Sequence, residues 1–213
     1  MQNTIREIEN NKIIVIVRGV KKDDLIPFAE AIYEGGIRLM ECTYDATGKV
    51  SDEETAAGIE MLAKHFEGKM LIGAGTVLTE KQVELTARAG GKFIISPDTN
   101  PEIIKKTKEL GLVSIPGSLT PSEATLANRS GADFVKLFPV GVLGTKYIKD
   151  LCAPLSHIKF LAVGGVDHEN MGEFLAAGAR GIGVGSAIVN KALIAEKNYA
   201  AITEAARKYT SRV

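Results

Sequence analysis

The sequence predicts an α/β fold, a (β/α)8 TIM barrel with a parallel eight-stranded barrel and an N-terminal capping helix. Short runs of β-branched residues alternate with longer amphipathic stretches along the 213 residues. The short runs are apolar without clean alternation, which is typical of parallel strands that are covered on both faces. Three successive intervals between predicted strand ends, from Thr76 to Lys136, are 20 residues each. This compact period suits repeated strand–helix units.

The individual elements follow from these runs and from helix signals between them. Thr79 with Gln82, and Thr120 with Glu123, form capping-box patterns, and another helix is expected to begin at Asp167 or His168. Strands are expected at residues 13–17, 37–41, 70–73, 93–95, 113–115, 134–137, 158–162 and 181–184. Helices are expected at residues 4–10, 24–33, 52–66, 79–89 and 199–209, the first of them closing the barrel bottom.

No linker or low-complexity stretch interrupts this pattern, which favours one closed barrel domain over residues 1–213. A doubly wound open sheet is the structural alternative, although nothing in the pattern signals its topological switch point.

The composition limits which binding partners and which cellular location we expect. The 26 basic and 26 acidic side chains cancel, so net charge gives no reason to expect nucleic acid or an anionic membrane as partner. Two cysteines are too few for a disulfide framework, and they show no metal-ligand spacing. The N-terminus is polar and no apolar run reaches the ~18 residues of a membrane span. A cytoplasmic location is therefore expected.

Lys136 is the first candidate for chemistry, because it lies in the apolar segment Phe134-Val-Lys-Leu-Phe-Pro139. Burial disfavours a charged lysine and lowers its pKa. A neutral amine can attack a ketone to form an iminium, which is an electron sink for breaking the neighbouring carbon–carbon bond. A lysine that merely reaches solvent at the strand end is the alternative, and the segment alone leaves both open.

Glu41 ends another apolar strand. A desolvated carboxyl group with a raised pKa can carry out the proton transfers that Schiff-base chemistry requires. A structural partner for Lys136 or Arg18 is the alternative role for Glu41. The presence of Lys136 on another strand of the same barrel favours the catalytic role.

Glycine-rich segments follow the last two predicted strands, at Gly164-Gly165 and at Gly185-Ser186. In TIM barrels these two loops usually bind phosphate through backbone N–H groups. Arg18 ends the first strand, where it could bind a carboxylate or phosphate, or pair with Glu41. These observations predict an anion site near Lys136.

An ordered set of motifs gives the chain a family resemblance. The motifs are Glu41-Cys-Thr43, Gly73-Ala-Gly-Thr-Val77, Ile95-Ser-Pro97, Ile115-Pro-Gly117, Phe134-Val-Lys-Leu-Phe-Pro139, Val163-Gly-Gly-Val166 and Val184-Gly-Ser186. Together they resemble the class I aldolases that act on 2-keto-3-deoxy-6-phosphogluconate and 4-hydroxy-2-oxoglutarate. The resemblance runs from about Ile13 to Ile194, and its specificity comes from the order and spacing of the whole set.

The resemblance implies an activity and a site. Lys136 would form the Schiff base, Glu41 would be the general acid and base, and cleavage would give pyruvate and an aldehyde. The substrate would be a 2-keto-3-deoxy-6-phospho sugar acid or 4-hydroxy-2-oxoglutarate, with no metal or other cofactor, in a homotrimer. The expected substrate-binding residues are Arg18, Thr76, Pro97, Phe138, Gly164, Gly165, Gly185 and Ser186.

Two positions depart from the family pattern. The family motif Glu-Val-Thr-Leu-Arg ends in an arginine that helps to hold the pyruvate carboxylate, and here that position is Asp45. The threonine that usually precedes the glycine pair is Val163. A substrate carboxylate should bind less well unless Arg18, Arg38 or Lys49 compensates.

These departures keep two other hypotheses open. In one, the barrel is a sugar-phosphate isomerase or epimerase, Lys136 acts electrostatically, and Asp45 is a base or metal ligand. A milder version is a divergent aldolase with a different keto substrate. In the other, the barrel has lost catalysis and only binds a sugar acid phosphate.

Overall fold

The computed structural model describes residues 1–213, which form nine parallel strands in a nearly closed barrel with α-helices around it. The strands are β1 (Ile13–Val17), β2 (Leu39–Thr43), β3 (Leu71–Gly75), β4 (Phe93–Ile95), β5 (Val113–Ile115), β6 (Gly117–Ser118), β7 (Val135–Leu137), β8 (Phe160–Val163) and β9 (Gly181–Val184). The helices are α1 (Gln2–Asn11), α2 (Lys22–Glu34), α3 (Asp52–His65), α4 (Glu80–Arg88), α5 (Pro101–Glu109), α6 (Pro121–Arg129), α7 (Gly144–Cys152), α8 (Met171–Ala176), α9 (Lys191–Ala195) and α10 (Tyr199–Thr210).

The strand order is that of a barrel. The hydrogen-bonded order is β5-β4-β3-β2-β1-β9-β8-β7-β6, so neighbours in sequence are neighbours in space and the first strand pairs with the last. A doubly wound sheet would reverse direction at a switch point, and no reversal occurs here. Only Pro116 separates β5 from β6, and its carbonyl accepts a hydrogen bond from the Lys136 N–H at 2.9 Å.

The lower interior of the barrel is apolar. Side chains from several strands meet there in one buried cluster, to which α1 contributes the fully buried Ile8. The cluster consists of Ile8, Ile14, Leu39, Phe93, Ile95, Val113, Ile115, Phe134 and Leu161. Because side chains alternate across a strand, residues two positions further along the same strands also face the interior, nearer its C-terminal end.

The strand predictions are confirmed in position, with shifts at some ends. The bounds of β1, β4, β5 and β9 are those expected, whereas β2 and β3 extend to Thr43 and Gly75. The expected start of β2 at Ile37 is wrong, because the Ile37 N–H bonds to the Ile32 carbonyl and completes the end of α2. The extension of β2 and β3 places more of the site on strands than the sequence indicated.

The helix predictions were confirmed where capping signals were strong. Thr79 and Thr120 each form both halves of a capping box. The helix expected at Asp167 or His168 begins only at Met171, because the Asp167 carboxylate first accepts the N–H groups of Glu169 and Asn170 in a turn. Helices α5, α7 and α9 were not predicted. No helix has both the length and the apolar character needed to cross a membrane.

Candidate active site

Glu41 and Lys136 lie inside the barrel, one layer above the apolar cluster. Each follows a cluster residue by two positions, Leu39 on β2 and Phe134 just before β7, so the strand alternation turns both side chains inward. Only 2% of Glu41 and 9% of Lys136 is exposed. Buried charged groups are rare unless they are paired or functional, so this placement marks the carboxyl ends of the strands as the candidate site.

The buried Oε2 atom of the Glu41 carboxyl group has no hydrogen-bond partner. Burial raises the pKa of Glu41 from 4.5 to about 7, although the positive charges of Lys136 and Arg18 act in the opposite direction. A carboxyl group with such a pKa can both donate and accept a proton near neutral pH. The geometry therefore suits a proton shuttle.

The Lys136 amine is destabilised as a cation by the same burial. Burial lowers the pKa of Lys136, the Glu41 charge raises it, and the charge of Arg18 lowers it further. The Nζ atom lies 4.9 Å from the centroid of the Phe138 ring, whose exposed face forms part of the rim. A larger neutral fraction of the amine makes Lys136 a better nucleophile.

Arg18 and Thr76 meet at the rim of the barrel. The Arg18 Nη2 donates a hydrogen bond of 2.9 Å to the Thr76 Oγ1. Thr76 has a φ of 55°, a left-handed conformation that is strained for a β-branched residue and that concentrates at functional sites. The Arg18 charge acts on both Glu41 and Lys136, so these three charged residues are electrostatically coupled, and Thr76 is joined to them by its hydrogen bond with Arg18.

The loop after β8 packs directly against the lysine segment. Gly164 and Gly165 have φ values of 84° and 83°. A Cβ on Gly164 would lie 2.9 Å from the Phe138 ring, and a Cβ on Gly165 would lie 2.7 Å from the Gly141 Cα. Both glycines are therefore required by backbone conformation and by close packing.

The loops after β8 and β9 also present unused backbone donors. The N–H groups of Gly164, Gly165, Gly185 and Ser186 donate to no acceptor within the protein. Because β8 and β9 are adjacent, these donors lie on neighbouring strand ends at the same rim. Backbone N–H groups arranged in this way are suited to binding an anion.

Lys191, the first residue of α9, is a cation at this rim that the sequence analysis missed. Its Nζ lies 3.4 Å from where a Cβ on Gly19 would be, just beyond Arg18 at the end of β1. In the sequence Lys191 follows Asn190 and precedes the apolar residues 192–195, some distance after the last strand, and only the short turn from Ser186 into α9 brings it back over β1. No periodicity in the sequence signalled this turn.

The remaining predicted residues are less closely associated with the pair. Pro97 is exposed after β4, and its carbonyl oxygen lies 2.3 Å from where a Cβ on Gly117 would be. No hydrogen bond joins it to Glu41 or Lys136. Ser186 is exposed beyond β9. These residues lie towards the edge of the candidate site, whereas Lys136, Glu41, Arg18 and Thr76 form its centre.

Asp45 is engaged in its own loop. Its carboxylate accepts hydrogen bonds from the Thr47 side chain and from the backbone N–H groups of Thr47, Lys49 and Val50. These bonds lower the pKa of Asp45 to about 2, which leaves it ionised and a weak base at neutral pH. No group of three or more His, Cys, Asp or Glu side chains is arranged to hold a metal ion.

Of the three cations expected to compensate for Asp45, one is at the centre of the site. Arg38 donates to the carbonyls of Tyr33 and Ile37 and stacks on the Tyr33 ring, at the opposite end of β2 from Glu41. Lys49 is exposed on the loop after β2. Arg18 is therefore the cation that faces the buried pair directly.

Val163, which replaces the usual threonine of the family, has an apolar side chain in apolar surroundings. It is 5% exposed at the end of β8, and its Cγ2 would lie 2.9 Å from a Cβ on Gly183. The side chain thus fills interior space that the glycine leaves open, and it presents no hydrogen-bonding group to the site.

Comparison with known proteins agrees with this geometry. The family model for KDPG and KHG aldolase matches residues 4–205. A probable 2-dehydro-3-deoxy-6-phosphogalactonate aldolase of Rhizobium meliloti (strain 1021) is 36% identical over 177 residues, which cover 83% of this chain and 81% of that protein. A 2-dehydro-3-deoxy-phosphogluconate aldolase of Haemophilus influenzae is 31% identical over 199 residues, covering 93% and 91%.

A solved structure of KDPG aldolase from Legionella pneumophila, with pyruvate captured as a covalent carbinolamine intermediate, has 29% sequence identity and a TM-score of 0.82. The match covers 92% of this chain and 93% of that one. Since the family model spans nearly the whole chain and relatives above 30% identity cover most of it, the chain belongs to the KDPG and KHG aldolase family.

Proposed function

We propose that this class I aldolase uses Lys136 as its Schiff-base nucleophile and Glu41 as its general acid and base. Membership of the family makes the chain an aldolase, a carbon–carbon lyase. The single observation that carries the residue assignment is the burial of Glu41 on β2 and Lys136 on β7 in the same interior, where the pKa of Glu41 is raised to about 7 and that of Lys136 is lowered.

The proposed cycle starts when the neutral Lys136 Nζ attacks the C2 ketone of the substrate. Loss of water gives an iminium, and a carboxyl group beside the lysine can supply the proton for this step. The C3–C4 bond then breaks, its electron pair moves into the iminium to give an enamine, and the C4 hydroxyl loses its proton as the aldehyde forms. Protonation of the enamine at C3, followed by hydrolysis, releases pyruvate and regenerates Lys136.

We propose that the substrate is a 2-keto-3-deoxy-6-phospho sugar acid. The unused N–H groups of Gly164, Gly165, Gly185 and Ser186 supply donors for a phosphate, and Lys191 supplies a positive charge at the same rim. Arg18 with Thr76 is the proposed site for the substrate carboxylate. Pro97 and Phe138 are proposed to line the substrate between these two ends.

The names of the relatives point to two possible substrates of this kind, which are epimers of each other. Their names include both phosphogalactonate and phosphogluconate aldolases. These two sugar acids differ in configuration at C4, and each yields the same two products. A 4-hydroxy-2-oxoglutarate substrate, named for the KHG/KDPG aldolase of Escherichia coli at 30% identity, carries no phosphate and tests the anion site separately.

The experiment measures pyruvate release from the two phosphorylated epimers and from 4-hydroxy-2-oxoglutarate. We expect kcat/KM to be highest with one of the phosphorylated epimers, and Lys191→Ala to raise KM for that substrate about tenfold, the loss of one charge-assisted contact. The same variant should leave 4-hydroxy-2-oxoglutarate nearly unchanged. Lys105→Ala, an exposed lysine on α5, is the matched control. An equal effect of Lys191→Ala on all three substrates would contradict the phosphate assignment.

The other hypotheses receive no specific support. An isomerase or epimerase with Asp45 as base is disfavoured, because four donor groups hydrogen-bond to that carboxylate and lower its pKa to about 2. Loss of catalysis is disfavoured by the retained Glu41 and Lys136.

The proposal also covers the strand count, the N-terminal cap, the domain, the oligomeric state and the location of the protein. We treat β5 and β6 as one strand interrupted at Pro116, which gives eight strands, and α1 as the cap of the barrel bottom through Ile8. One domain over residues 1–213, a homotrimer and a cytoplasmic location stay predictions.

A further inference from the structure

Gly75, the last residue of β3, lies directly against the Glu41 carboxyl group. A Cβ on Gly75 would be 2.2 Å from the Glu41 Oε1, 2.5 Å from Cδ and 2.8 Å from Oε2. These distances are far inside van der Waals contact, so the carboxyl group occupies the space that any side chain at this position would fill. Gly75 does not have a positive φ, which means that space, and not backbone conformation, requires a glycine here.

Other glycines in the barrel are constrained by different neighbours. A Cβ on Gly73 would meet the Phe93 ring at 2.3 Å, and one on Gly117 would meet the Pro97 backbone oxygen at 2.3 Å. Among the glycines with a contact below 3.0 Å, Gly75 is the one whose missing side chain is replaced by an ionisable group. At Gly75, therefore, close packing restricts the position of a carboxyl group whose Oε2 atom has no hydrogen bond.

We propose that Gly75 is a positioning residue for the aldolase reaction: its bare Cα forms the seat that holds the Glu41 carboxyl group inside the barrel and facing the Lys136 side of the interior. The inference rests on the proposed role of Glu41 as the proton-transfer group. Hydrogen bonds usually fix a catalytic carboxylate, and here steric contact with a glycine does so. The carboxyl group thereby keeps both oxygens free for the substrate.

The test adds one methyl group, in Gly75→Ala. The obstacle is the end of a flexible side chain, so Glu41 can rotate away and the barrel can fold with its carboxyl group displaced. We expect the exchange of pyruvate methyl protons with deuterated water, which needs the proton shuttle but no aldehyde, to fall by about 10²-fold or more. The KM for pyruvate should change by less than about threefold, because Arg18 and Thr76, the proposed site for the substrate carboxylate, are unchanged.

Two matched glycine substitutions separate this effect from general damage. Gly172 has no atom within 4 Å of an added Cβ, so Gly172→Ala in α8 should leave exchange and melting temperature unchanged. Gly35→Ala, at the C-terminal end of α2, would place its Cβ 2.8 Å from the Thr203 carbonyl oxygen, at the opposite end of β2 from Glu41, so it should lower the melting temperature but keep exchange per folded molecule. Exchange in Gly75→Ala within about threefold of the original protein would overturn the proposal, as would a rate loss that appears equally in folded Gly35→Ala.

A double-mutant cycle keeps the proposal testable if Gly75→Ala folds poorly. Removing the carboxyl group in Glu41→Ala empties the seat, so adding Gly75→Ala should then cost little or no melting temperature. If Gly75→Ala lowers the melting temperature equally with and without the Glu41 side chain, the seat does not exist. Because this cycle measures stability, it is independent of whether Glu41 transfers protons. Full exchange activity in Glu41→Gln would instead contradict the proposed function.

Discussion

Two lysine–carboxylate pairs in this barrel are arranged in opposite ways. The Lys108 Nζ contacts both carboxylate oxygens of Asp133, at 2.6 and 2.5 Å, and the Ser114 N–H donates a further bond to that carboxylate. Further along the same segment, Lys136 is buried with Glu41 nearby, but the Glu41 Oε2 has no hydrogen-bond partner. The first pair joins α5 to the start of the β7 segment, and the second faces the open end of the barrel.

The two pairs show how one barrel separates groups that stabilise the fold from groups that can react. In the Lys108–Asp133 pair each charge compensates the other, so both groups stabilise the fold and neither is available for a reaction. In the Glu41–Lys136 pair burial dominates, which raises the pKa of the acid to about 7 and lowers the pKa of the amine. Groups that are left incompletely paired remain free to exchange protons and to attack a substrate.

The greatest loss of activity is expected from removing the lysine of the buried pair, compared with the same change in the other pair. Lys136→Ala should lower kcat by about 10⁴-fold or more, because the covalent intermediate cannot form. Lys108→Ala should retain kcat per folded molecule. Steady-state pyruvate release, corrected for the folded fraction by circular dichroism, measures both variants. Comparable kcat in the two variants would remove the distinction between the pairs.

The second effect concerns the two acids. Glu41→Gln keeps the shape but cannot shuttle protons, so kcat should fall by about 10²-fold to 10⁴-fold with little change in KM. Asp133→Asn should instead lower the free energy of unfolding by about 1–3 kcal/mol, because it leaves Lys108 half-buried with a weaker partner. Urea denaturation and steady-state kinetics on both variants give the comparison. A stability loss without a rate loss in Glu41→Gln would contradict the assigned roles.

Features that depend on local sequence patterns could be predicted, whereas contacts between segments far apart in the sequence could not. Lys136 and Glu41 were identified because each is a charged residue in an apolar strand, and strand alternation turns both inward. The strand positions and the capped starts of α4 and α6 were predicted from local patterns of the same kind. The Lys108–Asp133 pair, the seat at Gly75 and the approach of Lys191 to Gly19 join distant segments, and no local pattern encodes them.

The missed helices have a related explanation. Helix α5 begins with Asn100 as its N-cap and Pro101 in its first turn, a signal that was present but stood in a short polar stretch between two short strands. Helices α7 and α9 lack strong capping boxes, and they form because the barrel packs their apolar sides. Tertiary packing therefore supplied what the sequence pattern did not.

A smaller effect concerns the pH dependence of kcat/KM, separately from the loss of the carboxylate contact proposed for Arg18. Arg18→Gln removes a positive charge that lowers the pKa of both Lys136 and Glu41. Without that charge each group binds its proton more tightly, so both limbs of the kcat/KM profile should move to higher pH. Because Arg18 is exposed, the shift should shrink as salt is added. A profile that moves to lower pH, or does not move at low salt, would contradict this arrangement.

Borohydride reduction in the presence of pyruvate, followed by mass mapping of the modified peptide, tests most directly whether Lys136 is the nucleophile. We expect one pyruvyl adduct, on the peptide that contains Lys136, absent from Lys136→Ala and preserved in Lys108→Ala. An adduct on another lysine, or no adduct in a protein that still releases pyruvate from its substrate, would contradict the assignment of Lys136 as the nucleophile.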